Sequence, residues 1–230
     1  MKDGMAIILG IGFLFTFAFC FAGEKPELKD LKDKESYSLG YLFGHSMKLQ
    51  GVDINPEVYT SGMRDALGGM NPPLSQEEMQ KTVSDLQQRV MAGRQKESKE
   101  VAGKNLAEGK AFLEENKKKE GVKTLASGLQ YKVLIEGSGK TPKATDEVTV
   151  NYKGTFINGT EFDSSYKRGK PATFPVDKVI RGWTEALQLM KEGSKWQLFI
   201  PPELAYGDRG AGPIPPNSTL IFEVELISVK

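Results

Sequence analysis

The stretch that places this chain among mixed α and β proteins is VIRGWTEALQLMKEG, residues 179–193. Its apolar residues recur at the three- to four-residue spacing of an amphipathic helix. They are Val179, Trp183, Ala186, Leu187 and Met190. Most such stripes are ordinary core, but here bulky side chains occupy the very first turn, directly after a loop. Nothing in the stretch resembles a nucleophile or a proton shuttle.

Strand patterns surround this helix. Apolar residues alternate with polar ones in four segments, which indicates antiparallel strands with one buried face. The alternating residues are Leu129, Tyr131, Val133 and Ile135; Val148, Val150 and Tyr152; Trp196, Leu198 and Ile200; and Leu220, Phe222, Val224 and Leu226. The tripeptide Asn-Gly-Thr at 158–160 predicts a hairpin turn. Because the helix lies between strands, we expect it to pack on the concave side of the sheet, so that residues 121–230 form an α+β domain.

Two shorter helices are expected nearer the N-terminus. The first spans about 34–50, and Ser36, Gly40 and Gly44 fall four apart on one of its faces. Small residues at this spacing allow another backbone to approach closely. That backbone could belong to the same monomer or to a dimer partner, and the residues by themselves leave both open. The second helix lies within 55–69, between an Asn-Pro start and a Gly-Gly end.

A third helix is expected to be long. Ser75 and Glu78 form a capping box at its start. No proline follows before residue 120, so a helix of roughly 46 residues would extend for about 69 Å at 1.5 Å per residue. Beyond Val90 the apolar stripe thins and charges of both signs are interspersed, which favours a solvent-exposed rod. The alternative is that the glycines at 93, 103 and 109 break it into shorter pieces, because each destabilises a helix.

Composition argues against several classes of function. The 230 residues have a net charge of +1 with bases and acids interspersed, so no nucleic-acid partner is expected. Cys20 and His45 are the only residues of their kinds, too few for a zinc site. His45 lies on a helix that we interpret as structural. The segment IEGSGKT at 135–141 lacks the first glycine of a phosphate-binding loop and is interpreted as a turn. We expect no metal and no cofactor.

The N-terminus has the pattern of a secretory signal peptide. One lysine precedes an apolar run at residues 5–22, and charges begin at Glu24. We expect cleavage after Ala22, secretion across the inner membrane, and a periplasmic or outer-membrane-associated protein. Two alternatives stay open. The run is about long enough to span a bilayer as an uncleaved anchor, and Cys20 could carry a lipid, although Phe19 stands where lipoprotein signals have a small residue.

Three stretches cover nearly the whole C-terminal domain. They are VTVNYKGTFINGTEFDSS (148–165), VIRGWTEALQLMKEGSKWQLFIPPELAYG (179–207) and IPPNSTLIFEVELISV (214–229). Together they resemble the FK506-binding-protein type of peptidyl-prolyl cis-trans isomerase. A fourth stretch, DKESYSLGYLFGHSMKLQGVDINPE (33–57), is similar to the helical dimerisation domain of the macrophage infectivity potentiator group in that family.

The resemblance implies an α+β fold in which an antiparallel sheet wraps on a short helix. A long α-helix joins this FK506-binding-protein fold to an N-terminal all-α dimerisation module. The chain then divides into a signal peptide (1–22), a helical dimerisation domain (23–74), a connecting helix (75–120) and an isomerase domain (121–230). A homodimer through residues 34–90 is implied as well.

The resemblance also implies a pocket for proline-containing polypeptides and for macrolide inhibitors of the FK506 and rapamycin type. The implied binding residues are Tyr152, Phe162, Asp163, Val179, Ile180, Trp183, Tyr206, Ile214 and Phe222. Among them Asp163, Tyr206, Phe162 and Trp183 are the implied catalytic residues. Trp183 would form the floor, and the Ile180 amide and the Tyr206 hydroxyl would hydrogen-bond the ligand.

Two features depart from the family pattern. Ala172 stands where many members have an aromatic residue, and the loop at 207–216 is one residue shorter than in small cytosolic members. Both bear on substrate preference and inhibitor fit more than on the basic activity. Two functions are compatible with the whole sequence. One is a secreted, dimeric isomerase that assists folding, and the other is a holding chaperone that cradles unfolded proteins between the two arms of a dimer.

Overall fold

The computed structural model describes residues 26–230. The helices are α1 (Leu31–Leu49), α2 (Pro56–Leu67), α3 (Gln76–Asn116) and α4 (Arg181–Leu187). The strands are β1 (Val122–Thr124), β2 (Gln130–Ile135), β3 (Glu147–Phe156), β4 (Glu161–Ser164), β5 (Ala172–Pro175), β6 (Lys195–Ile200) and β7 (Leu220–Val229). A boundary between Pro72 and Pro73 separates two compact units. Within residues 26–230, no helix has both the length and the apolar character needed to cross a bilayer. The predicted signal peptide and Cys20 lie outside the described residues.

The first unit contains α1 and α2. The Asp30 carboxylate caps α1, so this helix begins slightly earlier than predicted. Asn55 caps α2 by accepting a hydrogen bond of 3.0 Å from the amide of Val58, which confirms the predicted start. Neither helix has a buried residue. Among the described residues, no atom lies within 4 Å of a Cβ placed on Gly40 or Gly44, so this small-residue face is not a close-packing site within the described monomer.

Helix α3 is continuous over 41 residues, and the predicted alternative of a helix broken at its glycines is wrong. Its capping box is present, with the Ser75 hydroxyl accepting from the amide of Glu78 at 3.2 Å. The prediction of an exposed rod beyond Val90 is wrong for the last turns, where Asn116 is 1% exposed. Those turns pack against the sheet, and the rings of Phe112 and Phe199 lie 6.0 Å apart. The sequence pattern missed this because the docking face is small and partly polar.

The second unit is built on an antiparallel sheet with the strand order β1-β2-β6-β7-β3-β4, in which β5 pairs with the other part of β3. The predicted alternation is confirmed on β3, β6 and β7, whose inward residues are buried. It is wrong for Ile135, which is 55% exposed. The pairing of β2 with β6 shifts register between Val133 and Ile135, and a shift of one residue moves a side chain to the opposite face.

Helix α4 fills one face of the sheet. Trp183, Ala186 and Leu187 are buried in the same cluster as residues of β3, β6 and β7, as predicted. The predicted helical stripe is wrong at both ends, because Val179 and Met190 lie outside α4. A Cβ on Gly182 would fall 2.6 Å from the side chain of Ile200, so the helix lies almost directly on β6. This close packing fixes the distance between the first turn of α4 and the strands. The candidate site lies at that turn.

Candidate functional site

A cavity of about 740 Å³ opens between the start of α4, strands β3, β4 and β7, and the loop before β7. All nine residues predicted for the pocket line it: Tyr152, Phe162, Asp163, Val179, Ile180, Trp183, Tyr206, Ile214 and Phe222. Four residues that the prediction missed also line it: Phe174, Lys178, Ala211 and Pro213. The sequence-predicted residues are therefore brought together in one place.

Glycine at position 154 of β3 allows the aromatic rings on two walls of the cavity to touch. A Cβ on Gly154 would fall 2.7 Å from ring atoms of both Phe162 and Phe222. Because glycine leaves this space empty, the two rings can approach to 5.5 Å between centroids, with their planes at 87°. The strand register places Gly154 opposite both Asp163 and Phe222.

Trp183 lies at the bottom of the cavity and is 4% exposed. Its ring meets those of Tyr152 and Phe222 edge-on, each at 5.2 Å, and that of Phe174 at 6.0 Å. Edge-to-face contacts of this kind favour a rigid arrangement of rings. The indole nitrogen of Trp183 is buried and has no hydrogen-bond partner among residues 26–230. The floor of the cavity is therefore apolar, with one donor that the described protein does not use.

One polar network borders the aromatic floor. The Tyr152 hydroxyl donates to the Asp163 carboxylate at 2.5 Å and accepts from Arg168 at 2.6 Å, and Arg168 also donates to Asp163. Burial raises the pKa of Tyr152, and its bond to Asp163 raises that pKa further. Burial alone would raise the pKa of Asp163, but the hydrogen bonds from Tyr152 and Arg168 outweigh it and hold the pKa below the ordinary 3.8. At neutral pH the network is a neutral phenol between a carboxylate and a guanidinium.

Besides the indole nitrogen of Trp183, two donors near the cavity have no partner within the described protein. The hydroxyl of Tyr206 makes no hydrogen bond among residues 26–230, and its side chain is part of the cavity lining. Burial raises the pKa of Tyr206, and the charge of Asp163 adds to this, so the hydroxyl is protonated at neutral pH. The backbone amide of Ile180, just before α4, likewise donates to no atom of the described chain.

Phe174 and Arg168 were not predicted as site residues, and they differ in whether the sequence contained a pattern that could have identified them. Phe174 follows Ala172 by two positions on β5, so alternation places both on one face of that strand. That signal existed but was obscured because the strand has only four residues. Arg168 has no such signal, since Lys167 and Lys170 flank it, and only the fold selects which cation reaches Asp163. Among the described residues, no cluster of three or more His, Cys, Asp or Glu side chains could hold a metal ion.

Comparison with known families accounts for the same parts of the chain. The family described as "FKBP-type peptidyl-prolyl cis-trans isomerase" matches residues 138–227, and the family described as "Domain amino terminal to FKBP-type peptidyl-prolyl isomerase" matches residues 32–133. The chain belongs to the FKBP-type peptidyl-prolyl cis-trans isomerases. The FKBP family inferred from the three quoted stretches is thereby confirmed, and so is the enzyme class.

Relatives of this FKBP-type enzyme extend over its whole length. "Outer membrane protein MIP" of Legionella longbeachae is 49% identical over 100% of this chain and 98% of its own. "Peptidyl-prolyl cis-trans isomerase Mip" of Coxiella burnetii is 50% identical over 100% of this chain and 99% of its own. The crystal structure of FkpA from Escherichia coli superposes with a TM-score of 0.68 at 43% identity, over 89% of this chain and 99% of that one. These matches confirm the predicted group and the fold class.

Proposed function

We propose that rotation about X–Pro bonds takes place in the cavity above Trp183. The observation that carries the proposal is the combination of an aromatic floor with two unused donors away from that floor, the Tyr206 hydroxyl and the Ile180 amide. An extended peptide needs donors for its carbonyl groups when it leaves water. A proline ring needs only apolar contact, which Trp183 and its neighbours supply. The same combination suits macrolide inhibitors of the FK506 and rapamycin type.

The chemistry needs no covalent step. Peptide rotation has a barrier of about 18–20 kcal/mol because resonance holds the amide planar, and X–Pro bonds isomerise unaided in tens to hundreds of seconds. When the amide twists, resonance is lost and the charge on the carbonyl oxygen falls. An apolar site therefore penalises the planar ground state more than the twisted transition state. A difference of about 5 kcal/mol would accelerate rotation by roughly three to four orders of magnitude.

We assign separate roles to the predicted catalytic residues. Trp183 supports the proline ring, and Phe162 forms the adjoining wall. Tyr206 donates to a carbonyl of the bound peptide. Asp163, ionised and fixed by its hydrogen bonds, orients the twisting amide through its negative charge. Ala172 leaves the rim of the cavity less filled than an aromatic residue would, so we expect weaker selection of the residue that precedes proline.

The two tryptophans provide a matched test of this assignment. Trp183 and Trp196 are 4% and 6% exposed, but only Trp183 lines the cavity. We expect Trp183→Leu to lower kcat/KM for an X–Pro peptide by about fivefold or more, because one aromatic contact is worth ~1 kcal/mol. Trp196→Leu should destabilise the fold yet keep kcat/KM within about twofold. Equal losses of activity in a protease-free assay would show that packing, not the cavity, carries the effect.

We propose further that residues 23–74 are a dimerisation domain and that the dimer forms through residues 34–90. Helix α2 has 12 residues and α1 has 19, and neither buries a side chain. A helix as short as α2 is marginal in water without tertiary packing, and in proteins most helical stability comes from packing of an apolar face. Their large apolar side chains are exposed, Leu42 by 63% and Leu39 by 71%. A second copy of the chain would cover these side chains, with the open Gly40 position as a point of close approach.

Sedimentation of the full chain tests the dimer. Gly40→Leu fills the space that the second copy needs, so we expect it to shift the protein to monomers. Gly93→Leu is the matched control, since it also places leucine at a helix glycine with open space, but outside the proposed interface. The dimer proposal fails if Gly40→Leu sediments as the wild type does while circular dichroism shows an unchanged helix content.

Chaperone activity as a dimer is the second function that we propose, because exposed apolar side chains on α1 and α2 could hold unfolded chains. Asp163→Leu separates this function from isomerisation. If the variant loses isomerase activity but still suppresses aggregation of an unfolded protein, holding is independent of the cavity. If aggregation suppression disappears with isomerase activity, the holding function is not separate.

We propose that residues 1–22 direct the protein across the inner membrane, to the periplasm or the outer membrane. The charge and apolar pattern of the N-terminus supports this, as does the name of the Legionella relative, an outer membrane protein. Mass spectrometry of the mature protein decides between the alternatives. A start at Gly23 supports cleavage after Ala22, whereas a lipid on Cys20 or an intact Met1 identifies an anchored protein.

A further inference from the structure

The last turns of α3 approach the isomerase fold more closely than an alanine would allow. A Cβ on Gly109 would fall 3.1 Å from the Cβ of Thr219 and closer still to its hydroxyl oxygen. Gly109 is buried, whereas Cβ positions on Gly93 and Gly103 of the same helix meet nothing within 4 Å among the described residues. Glycine destabilises a helix relative to alanine. The close approach to Thr219 therefore gives a structural reason for glycine at position 109, whereas Gly93 and Gly103 have no such contact within the described part of the chain.

Two side-chain hydrogen bonds join the same part of α3 to the segment after Ile214. Asn105 Nδ2 donates to the carbonyl of Pro216 at 2.8 Å. Asn217 Nδ2 donates in the other direction, to the carbonyl of Ala102 at 3.4 Å. Asn217 has a φ of 54°, a left-handed conformation that asparagine tolerates better than most residues. The segment is thus shaped so that one of its residues reaches the helix.

Residues 206–217, which we call the pocket flap, form a loop. Its two ends are joined by a hydrogen bond at Asn217, the residue whose side chain also binds α3. The amide of Asn217 donates to the carbonyl of Gly207 at 2.8 Å. Further along, Ala211 and Ile214 exchange two backbone hydrogen bonds of 3.0 and 2.9 Å. Tyr206 at the start of the flap and Ala211, Pro213 and Ile214 further along it line the cavity. A displacement of α3 would consequently reach the cavity through a single hydrogen-bonded loop.

We propose that Asn105 and Gly109 are positioning residues of the isomerase. By seating α3 against Asn217 and Thr219, they hold the pocket flap, and with it the hydroxyl of Tyr206, where a substrate meets it. This inference rests on the proposed assignment of the cavity as the active site. Neither residue lines that cavity. Because they act through the flap and not through Trp183 or Asp163, their loss weakens the hydrogen bond from Tyr206 to bound substrate and affects binding more than the rotation step.

The surroundings of the contact differ from the apolar core of the domain. A second cavity of about 320 Å³ lies beside it, lined by Asn105 and Glu108 of α3 and by Pro215 and Ser218 of the adjoining segment. The hydroxyl oxygen of Thr219 is buried without a hydrogen-bond partner among the described residues. Most buried polar groups in proteins are paired. The junction between α3 and the segment before β7 is therefore small and partly polar, with one polar group left unpaired within residues 26–230.

Four variants of the full chain test the proposal with a short X–Pro peptide in a protease-free assay. Gly109→Ala forces the helix away from Thr219, and Asn105→Ala removes one hydrogen bond. Both should raise KM by about threefold or more while kcat stays within about twofold, the pattern for lost binding energy. Gly109→Ala combined with Thr219→Ala relieves most of the clash and should bring KM back towards the wild-type value. Gly103→Ala is the control and should leave both constants unchanged.

The proposal is overturned if Asn105→Ala and Gly109→Ala are folded by circular dichroism and keep the wild-type KM. It is overturned as well if the double variant folds but does not recover KM. If Gly109→Ala does not fold, Asn105→Ala decides by itself. Tyr206→Phe separates this question from the active-site assignment. If that variant is fully active, the assignment fails, whereas if it is impaired and the α3 variants are not, only the positioning role fails.

Discussion

Tyr152 and Tyr206 both line the cavity, but we expect the loss of the Tyr152 hydroxyl to lower stability and the loss of the Tyr206 hydroxyl to lower activity. The hydroxyl of Tyr152 is held by Asp163 and Arg168, while that of Tyr206 has no partner among residues 26–230. Tyr206→Phe therefore deletes no internal hydrogen bond, and its free energy of unfolding should stay within about 0.5 kcal/mol of the wild type. Tyr152→Phe deletes two, both to charged groups.

The magnitudes follow from what each hydroxyl contacts. A neutral hydrogen bond to the substrate is worth about 0.5–1.5 kcal/mol, so Tyr206→Phe should lower kcat/KM by about twofold to tenfold. Hydrogen bonds to charged groups reach about 1.5–3 kcal/mol. The side chains of Asp163 and Arg168 are 40% and 43% exposed, so water replaces part of what Tyr152→Phe removes. We expect a loss of about 1 kcal/mol, which lowers Tm by about 2–4 °C.

Thermal unfolding followed by circular dichroism and a protease-free assay on one X–Pro peptide check both variants. The reasoning is refuted if Tyr206→Phe lowers Tm as much as Tyr152→Phe does, since Tyr206 would then have an internal partner. It is also refuted if Tyr206→Phe keeps full kcat/KM, because the free hydroxyl would then have no part in binding or rotation.

Three further predictions concern the polar network, the core and one turn. Arg168→Leu removes one of the hydrogen bonds, and the positive charge, that hold the pKa of Asp163 below 3.8, so that pKa should rise and the acid limb of kcat/KM, measured from pH 3 to 7, should move to higher pH. For the same reason, the stability that ionised Asp163 contributes is lost in the wild type only as pH falls through the lowered pKa, and it should be lost earlier in the variant. Leu198→Ala empties a fully buried site and should cost about 2–5 kcal/mol in urea unfolding, whereas Leu189→Ala, 47% exposed in the wild type, should change it by less than about 0.5 kcal/mol. Gly159→Ala meets no atom within 4 Å but must adopt a φ of +84°, so urea unfolding should show a loss of about 1–2 kcal/mol from backbone strain alone.

The lack of a nucleophile at the start of α4 is consistent with the chemistry of the family. Rotation about a peptide bond requires no covalent step, and under the proposed assignment residues 179–183 supply part of the apolar surface and one backbone donor. Val179, Ile180 and Trp183 line the cavity, while Leu187 and Met190 are fully buried core. The cavity residues therefore lie before and in the first turn of α4, and the core residues lie at and after its end.

The sequence by itself determined the features of this protein that depend on residues close together in the chain. Period-two alternation identified the three central strands, and side-chain caps such as Asn55 identified the starts of helices, because both depend on near neighbours in the chain. Similarity to the isomerase family supplied all nine of the cavity residues that we named. None of those nine could have been assigned from periodicity, since each one taken alone looks like ordinary core.

Only the tertiary structure decided which distant groups meet. It selected Arg168 rather than a neighbouring lysine as the partner of Asp163, and it brought Phe174 into the cavity from a strand of four residues. It also docked the polar end of α3, through Asn105 and Gly109, on a segment more than 100 positions away in the chain. Such contacts depend on small side chains, open space and backbone carbonyl groups. These features have no period in a sequence, so nothing in the local pattern could report them.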